Sequence, residues 1–240
     1  MKSILLTLLL ILPLLQPATS KPNPNTTIQA SALNWTGEEL AMANTAKDVD
    51  YLSDEEKKII FYMNLARMDG TRFFNTYFQT FVDSHNQKMK RYSNYKDLKV
   101  NRYDAYYRGL EQDLKRAKNL GILYPDETLT YVSDQHGKDM NRHNISGHVS
   151  SDGRTMVNRI EKYYKNRGMA ENLAFGFSGA LENVCMLLLD TGIPDVGHRK
   201  NILNTTLGLN LVGVSIQPHP HYKFSATIDF VAVPTVKTKE

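Results

Sequence analysis

The spacing of apolar residues changes along this chain, and that change limits the fold more than any single motif does. Through the first two thirds, apolar side chains recur at three and four residues, as in Ile59, Ile60, Met63 and Ala66, the spacing of one helix face. At the end, "LNLVGVSI" and "KFSATIDFVAV" alternate with a period of two, and "QPHPHY" between them reads as a rather long hairpin connection. Helices first, a hairpin last and one strand between helices predict an α+β fold with a small, mainly antiparallel sheet.

The first expected helix is "YLSDEEKKIIFYMNLARMDG", where Ser53 and Glu56 form a capping box and Gly70 is the expected stop. "FFNTYFQTFV" fits helix or strand, and "RGLEQDLKRAKNLG" reads as a helix. Further on, Leu129, Val132, His136, Met140 and His143 share one helical stripe, and Met156, Val157, Ile160 and Tyr164 make another. "ALENVCMLLLD" is a largely apolar, buried helix for which Ser178 is the expected cap, and "HRKNILN" a further short one.

Lys2, the apolar run from Ile4 to Leu15 and the small residues Ala18 to Ser20 have the pattern of a secretory signal peptide over 1–20, with a mature start near Lys21. Pro13 and the shortness of the run argue against a membrane span. A secreted protein, extracellular or periplasmic, is expected. Residues 21–50 read as a flexible lead-in, 51–234 as the folded domain and 235–240 as a tail. Cys185 is the sole cysteine, so no intrachain disulfide forms and the core must carry stability. A net charge of +4 makes no case for nucleic acid as a partner. Locally, the segment 88–118 is basic and interleaved with tyrosines.

Glu171 heads the strand "ENLAFGF", where alternation puts it on one face with Leu173, Phe175 and Phe177. A carboxylate there requires a charged or hydrogen-bonding partner. His148 and His198 lie at junctions between loops and regular elements, where functional side chains project from rigid scaffolds. His136 and His143 read as core or boundary residues, and His219 and His221 flank a proline in a turn, where exposure is expected. Cys185 sits among Met186, Leu187 and Leu188 and reads as a buried, inert thiol.

"YVSDQHGKDM", "GHVSSDGRTMVNRI", "AENLAFGF", "GHRKNIL" and "LGLNLVGVSI...KFSATIDF", in that order, resemble the CAP superfamily, also called SCP domains: cysteine-rich secretory proteins, antigen 5 and pathogenesis-related proteins. "YMNLAR" is similar to the first-helix Asn-x-x-Arg of that family, and the lack of disulfides is similar to its bacterial branch. The segment 71–118 is then an insertion longer than the family pattern. The resemblance implies a three-layer α-β-α sandwich with a cleft holding two histidines and two acids. By position these are His148, Glu171 and His198, with Asp190 as the fourth member and Glu182 a poorer match. On this reading Glu171 accepts from both imidazoles, leaving their other nitrogens to a ligand or a divalent metal such as zinc.

Three functions follow as expectations. The favoured one is a binding module whose cleft holds a metal, through His148 and His198, or a small hydrophobic or lipid ligand. A metal-assisted peptidase or esterase at the same cleft is the alternative, with Glu171 or Asp190 as base. The third is attachment to the cell envelope or to glycans through the basic, tyrosine-rich segment.

Overall fold

A computed structural model describes residues 34–203 and 207–234; the signal-peptide reading and the 235–240 tail lie outside them. The unit described below begins at Trp35. Ordered structure starts earlier than the sequence suggested. Helix α1 (Gly37–Ala43) opens with a Thr36–Glu39 capping box, and Ala43 and Ala46 are fully buried, so part of the expected lead-in belongs to the core.

Helix α2 (Asp54–Met68) has the Ser53–Glu56 capping box and buries Ile59, Ile60, Met63 and Ala66. Asn64 and Arg67 are buried beside them and stitch α2 to distant chain. Asn64 donates to the carbonyls of Ala43 and Leu123 and accepts from the Leu123 N–H. Arg67 donates to the carbonyls of Gly121, Ile202 and Leu209, and burial pushes its pKa down to about 10.

Gly70 does not end the helical run. It opens α3 (Gly70–Phe73), where a β-carbon would meet the Leu114 carbonyl oxygen at 2.4 Å. "FFNTYFQTFV" is helical throughout, through a π-helical turn at Phe74–Phe78 and α4 (Gln79–Met89). The helical choice lets Phe74, Phe78 and Phe81 share one buried face, with Phe74 and Phe78 both packed on Tyr107 of α6 (Ala105–Arg116). Between them α5 (Tyr95–Leu98) buries nothing.

The sheet has the order β1-β3-β4-β2. Strands β3 (Leu211–His219) and β4 (Lys223–Val231) form the expected hairpin. Pairing extends to His219 and Lys223, so the connection is a tight turn rather than a long loop. His219 is therefore buried, not exposed: Nε2 donates to the Ile145 carbonyl and Nδ1 accepts from the N–H groups of His221 and Tyr222. Strand β2 (Met169–Phe175) pairs antiparallel with β4 at one edge, and the two-residue β1 (Tyr124–Pro125) pairs parallel with β3 at the other.

The two faces of this sheet differ in chemistry. One carries Val212, Val214, Ala226, Ile228 and Phe230 into the main core, against α2, α9 (Ala180–Leu189) and α10 (Gly197–Leu203). The other presents Gly213, Ser215, Thr227 and Asp229 to α7 (Glu127–His143), with α8 (Met156–Glu161) beside β2. Gly213 lets the α7 backbone lie directly on β3, since a β-carbon there would sit 2.2 Å from the Leu129 carbonyl carbon. Helices on both faces make the three-layer α-β-α sandwich expected from the sequence. Ser178 does not cap α9; the Glu55 carboxylate of α2 accepts the Ala180 N–H instead, at 2.8 Å.

Candidate functional site

Glu171 lies on the α7 side of β2, directly opposite Asp229 of β4, and its side chain is fully buried. Two donors meet its carboxylate. His148, in the loop after α7, places Nδ1 2.7 Å from Oε1, and Arg159 of α8 donates from its Nη2 to Oε2. Burial is the largest influence on Glu171 and pushes its pKa up. The His148 hydrogen bond and the Arg159 charge together outweigh it and hold the group below the ordinary carboxylate range. An ionised carboxylate only accepts, so Nδ1 of His148 carries the hydrogen.

Arg159 organises the surrounding loop. Its Nη1 donates to the carbonyls of His148 and Arg154 and to the Ser150 hydroxyl. Ser150 is also 3.2 Å from Nδ1 of His136, whose Nε2 lies 2.9 Å from the Gly147 carbonyl and donates to it. His136 is thus the hydrogen-bonded core histidine that its stripe suggested, and burial lowers its pKa and keeps it neutral. Behind Glu171, Asp229 is wholly buried and accepts from Ser133 at 2.8 Å. Burial, then the Glu171 charge, raise its pKa well above the usual value, which favours its protonated form.

His198 does not join Glu171. Its Nδ1 is 2.7 Å from Oδ1 of Asp190, and Oδ2 of Asp190 accepts the N–H groups of His198 and Arg199 at 3.0 and 3.3 Å. Asp190 ends α9 in the left-handed conformation at φ 57°, which Asp tolerates better than most residues. The reason for the separation is strand alternation. Asn172, next to Glu171, points to the opposite face of β2, where it donates to the His198 carbonyl and accepts from Asn201 of α10. Adjacent residues of one edge strand thus serve two histidines from two faces. Glu182 lies elsewhere, ion-paired with Lys88.

The structure therefore makes two imidazole–carboxylate pairs, His148–Glu171 and His198–Asp190. In each, a neutral ring leaves Nε2 as the lone-pair nitrogen. His148 is half exposed (53 % of its side chain) and His198 less so (21 %). Neither pair lines the cavity between α7 and residues 150–163 or the cavity beside α10. Arg159, Asn172 and Asp229 were not anticipated. Arg159 stands next to Ile160 on a stripe read only for its apolar members, and Asp229 alternates with Ile228 and Phe230 on the face opposite the core.

As a metal centre the donor set is thin. Both oxygens of Glu171 and of Asp190 already accept protein hydrogens, leaving the two Nε2 atoms. Among the described residues no group of three or more His, Cys, Asp or Glu side chains is placed to hold a metal ion. Two imidazoles fall short of the three protein ligands that catalytic zinc takes. In the basic segment Lys88, Arg102, Lys115 and Arg116 each pair with a carboxylate, which offsets part of its charge.

An α-β-α sandwich with one histidine–acid pair on either face of an edge strand defines the class of protein. Residues 62–233 match the model of the CAP family, the cysteine-rich secretory protein family, and the chain belongs to it. No curated protein matches the chain. Among solved structures, an extracellular protein containing an SCP domain from Bacillus anthracis str. Ames is similar at 25% identity and a TM-score of 0.39. That match covers 52% of this chain and 40% of the Bacillus one, so this chain matches less than half of that protein's length. An outer surface protein from Borrelia burgdorferi is similar at 19% identity and a TM-score of 0.41, covering 56% of this chain and 97% of that one. Among the described residues no helix is long and apolar enough to cross a membrane.

Proposed function

We propose that this CAP-family protein is exported and works as a binding module, its ligand meeting Nε2 of His148 and His198. The observation that carries this reading is the pair of imidazoles whose Nδ1 atoms are tied to buried carboxylates. Fixing Nδ1 fixes the tautomer and the ring plane, which prepares Nε2 as an oriented acceptor. Catalysis is less favoured. Among the described residues no serine or cysteine is hydrogen-bonded to either Nε2, and Cys185 is fully buried with its thiol pKa raised by that burial.

A lone-pair nitrogen selects a ligand end that donates, such as a hydroxyl. A cavity of about 240 Å³, walled by Ala117, Leu120, Val196 and Leu203 together with Asp113, Arg116, Arg199 and Lys200, opens against α10, the helix that carries His198, without including His198 itself. A small hydrophobic molecule ending in a hydroxyl suits both features. The test is titration of the exported protein with a fluorescent sterol, a fluorescent fatty acid and Zn²⁺, beside the His148→Ala, His198→Ala double variant. The sterol should bind, and the double variant should weaken it about tenfold, the worth of a ~1.4 kcal/mol contact. Tight zinc binding lost in the variant would instead make the site a metal centre. Equal sterol binding by both proteins would remove the histidines from the site. Export is checked separately by N-terminal sequencing of secreted protein, which should begin near Lys21.

A further inference from the structure

We propose that the cavity between α7 and residues 150–163 is a second site, which binds a sugar carrying an oxyanion. It has a volume of about 360 Å³ and includes none of the two histidine–carboxylate pairs. Its wall carries five cationic side chains against two carboxylates, in a protein whose charge is otherwise nearly balanced.

The balance of partners matters more than the count. Lys138 pairs with Asp134, Arg154 with Asp152 and Arg159 with Glu171. Among the described residues Arg142 and Lys162 have no carboxylate within ion-pair distance, and Lys162 rests on the ring of Tyr163, 5.3 Å from its centroid. The two wall acids are already met: Asp139 accepts from Ser151 and His143, and Asp152 from Arg154. An incoming anion therefore finds unpaired cations and no unpaired carboxylate. Deeper in the wall, the 95 %-buried Arg159 keeps an Nε–H without an acceptor among the described residues. A buried donor left unmatched is costly, but this one has almost no surface open to the cavity, so the charge of a guest falls to Arg142 and Lys162.

The aromatic residues set the class of ligand. Tyr131 and Tyr163 are 53 % and 42 % exposed and meet edge to face with centroids 6.5 Å apart. Free sulfate or phosphate needs neither two solvent-facing rings nor this volume. A pyranose ring bearing a sulfate or a carboxylate uses all of it: its C–H face lies on the tyrosines and its charge goes to Arg142 and Lys162.

The test is calorimetric titration of the full chain with four probes: a sulfated disaccharide, its unsulfated parent, a uronic-acid disaccharide and inorganic sulfate. The sulfated or the uronic-acid sugar should bind at least about tenfold more tightly than the neutral sugar or free sulfate. Which of the two wins identifies the oxyanion. Arg142→Ala with Lys162→Ala should weaken binding about tenfold, and Tyr131→Ala with Tyr163→Ala should weaken the sugar but not free sulfate. Lys96→Ala with Arg108→Ala removes the same charge from the tyrosine-rich segment and should leave affinity within about twofold. Equal loss in both charge variants, equal affinity for free sulfate or the neutral sugar, or no binding of any sugar would overturn the proposal.

Discussion

His148 reaches a glutamate in the middle of a strand pair, whereas His198 reaches an aspartate only eight residues before it in sequence. The first pair depends on tertiary structure: Glu171 needs Arg159 from α8, and Arg159 in turn holds the carbonyls of the loop that carries His148. The second is local. Asp190 is satisfied by the imidazole and two backbone N–H groups at the start of α10, and among the described residues no lysine or arginine side chain pairs with it. Similar histidine geometry is thus reached by a buried ion network on one face of β2 and by a turn on the other. Damage should spread far from the first pair and stay near the second.

The largest expected effect separates them directly. Arg159→Ala leaves Glu171 buried without its cation and should cost about 3–5 kcal/mol in denaturant unfolding. Adding Glu171→Gln removes the stranded charge, so the double variant should recover a large part of that loss. Asp190→Ala should cost less, about 1–2 kcal/mol, from lost hydrogen bonds and a left-handed backbone that Ala resists. Asp190→Gly keeps the backbone free and should fall below Asp190→Ala in cost.

Acid should also distinguish the pairs. The folded-state pKa of Glu171 is depressed, so the stability it contributes is present above the unfolded value of ~4.3. It is lost as pH falls through the folded value, below the ordinary carboxylate range. The stability gap between the wild type and Glu171→Gln should therefore narrow on acidification below about pH 4, read from urea midpoints.

The smallest effect has the opposite sign. Asp229 has a raised folded pKa, so the folded state keeps a proton that the unfolded chain gives up above ~3.9. Stability falls as pH rises from there. Asp229→Asn removes that penalty and still offers Ser133 an acceptor. It should raise the melting temperature by about 2–4 °C at pH 7, with the gain shrinking toward pH 4.

Much of this architecture was legible in the sequence, because periodicity and capping are local. The capping box at Ser53, the helical stripe of α7 and the terminal hairpin all needed only neighbouring residues, whereas in the second stripe Val157 is exposed and Tyr164 lies past the end of α8. The four candidate residues, His148, Glu171, His198 and Asp190, follow from the resemblance that the order of five motifs carries. Their pairing does not, since Glu171 and His198 are separated by the face on which α10 docks, and Asn172 sets that face. Arg159 and Asp229 were hidden for a related reason. Alternation says that a polar residue shares a face with others, but only packing shows that this face is covered by α7 and α8. His219 has a turn-like sequence context beside Pro220, yet strand pairing continues through it and buries it.

The most direct test of the paired-imidazole account is the tautomeric state of each histidine, read from imidazole ¹⁵N resonances of the full protein at alkaline pH, where the rings are neutral. His148 and His198 should carry hydrogen on Nδ1, and His136, which donates to the Gly147 carbonyl, on Nε2. Glu171→Gln should alter His148 alone and Asp190→Asn His198 alone. Hydrogen on Nε2 of His148 or His198 in the wild type, or one acid variant altering both rings, would contradict the account.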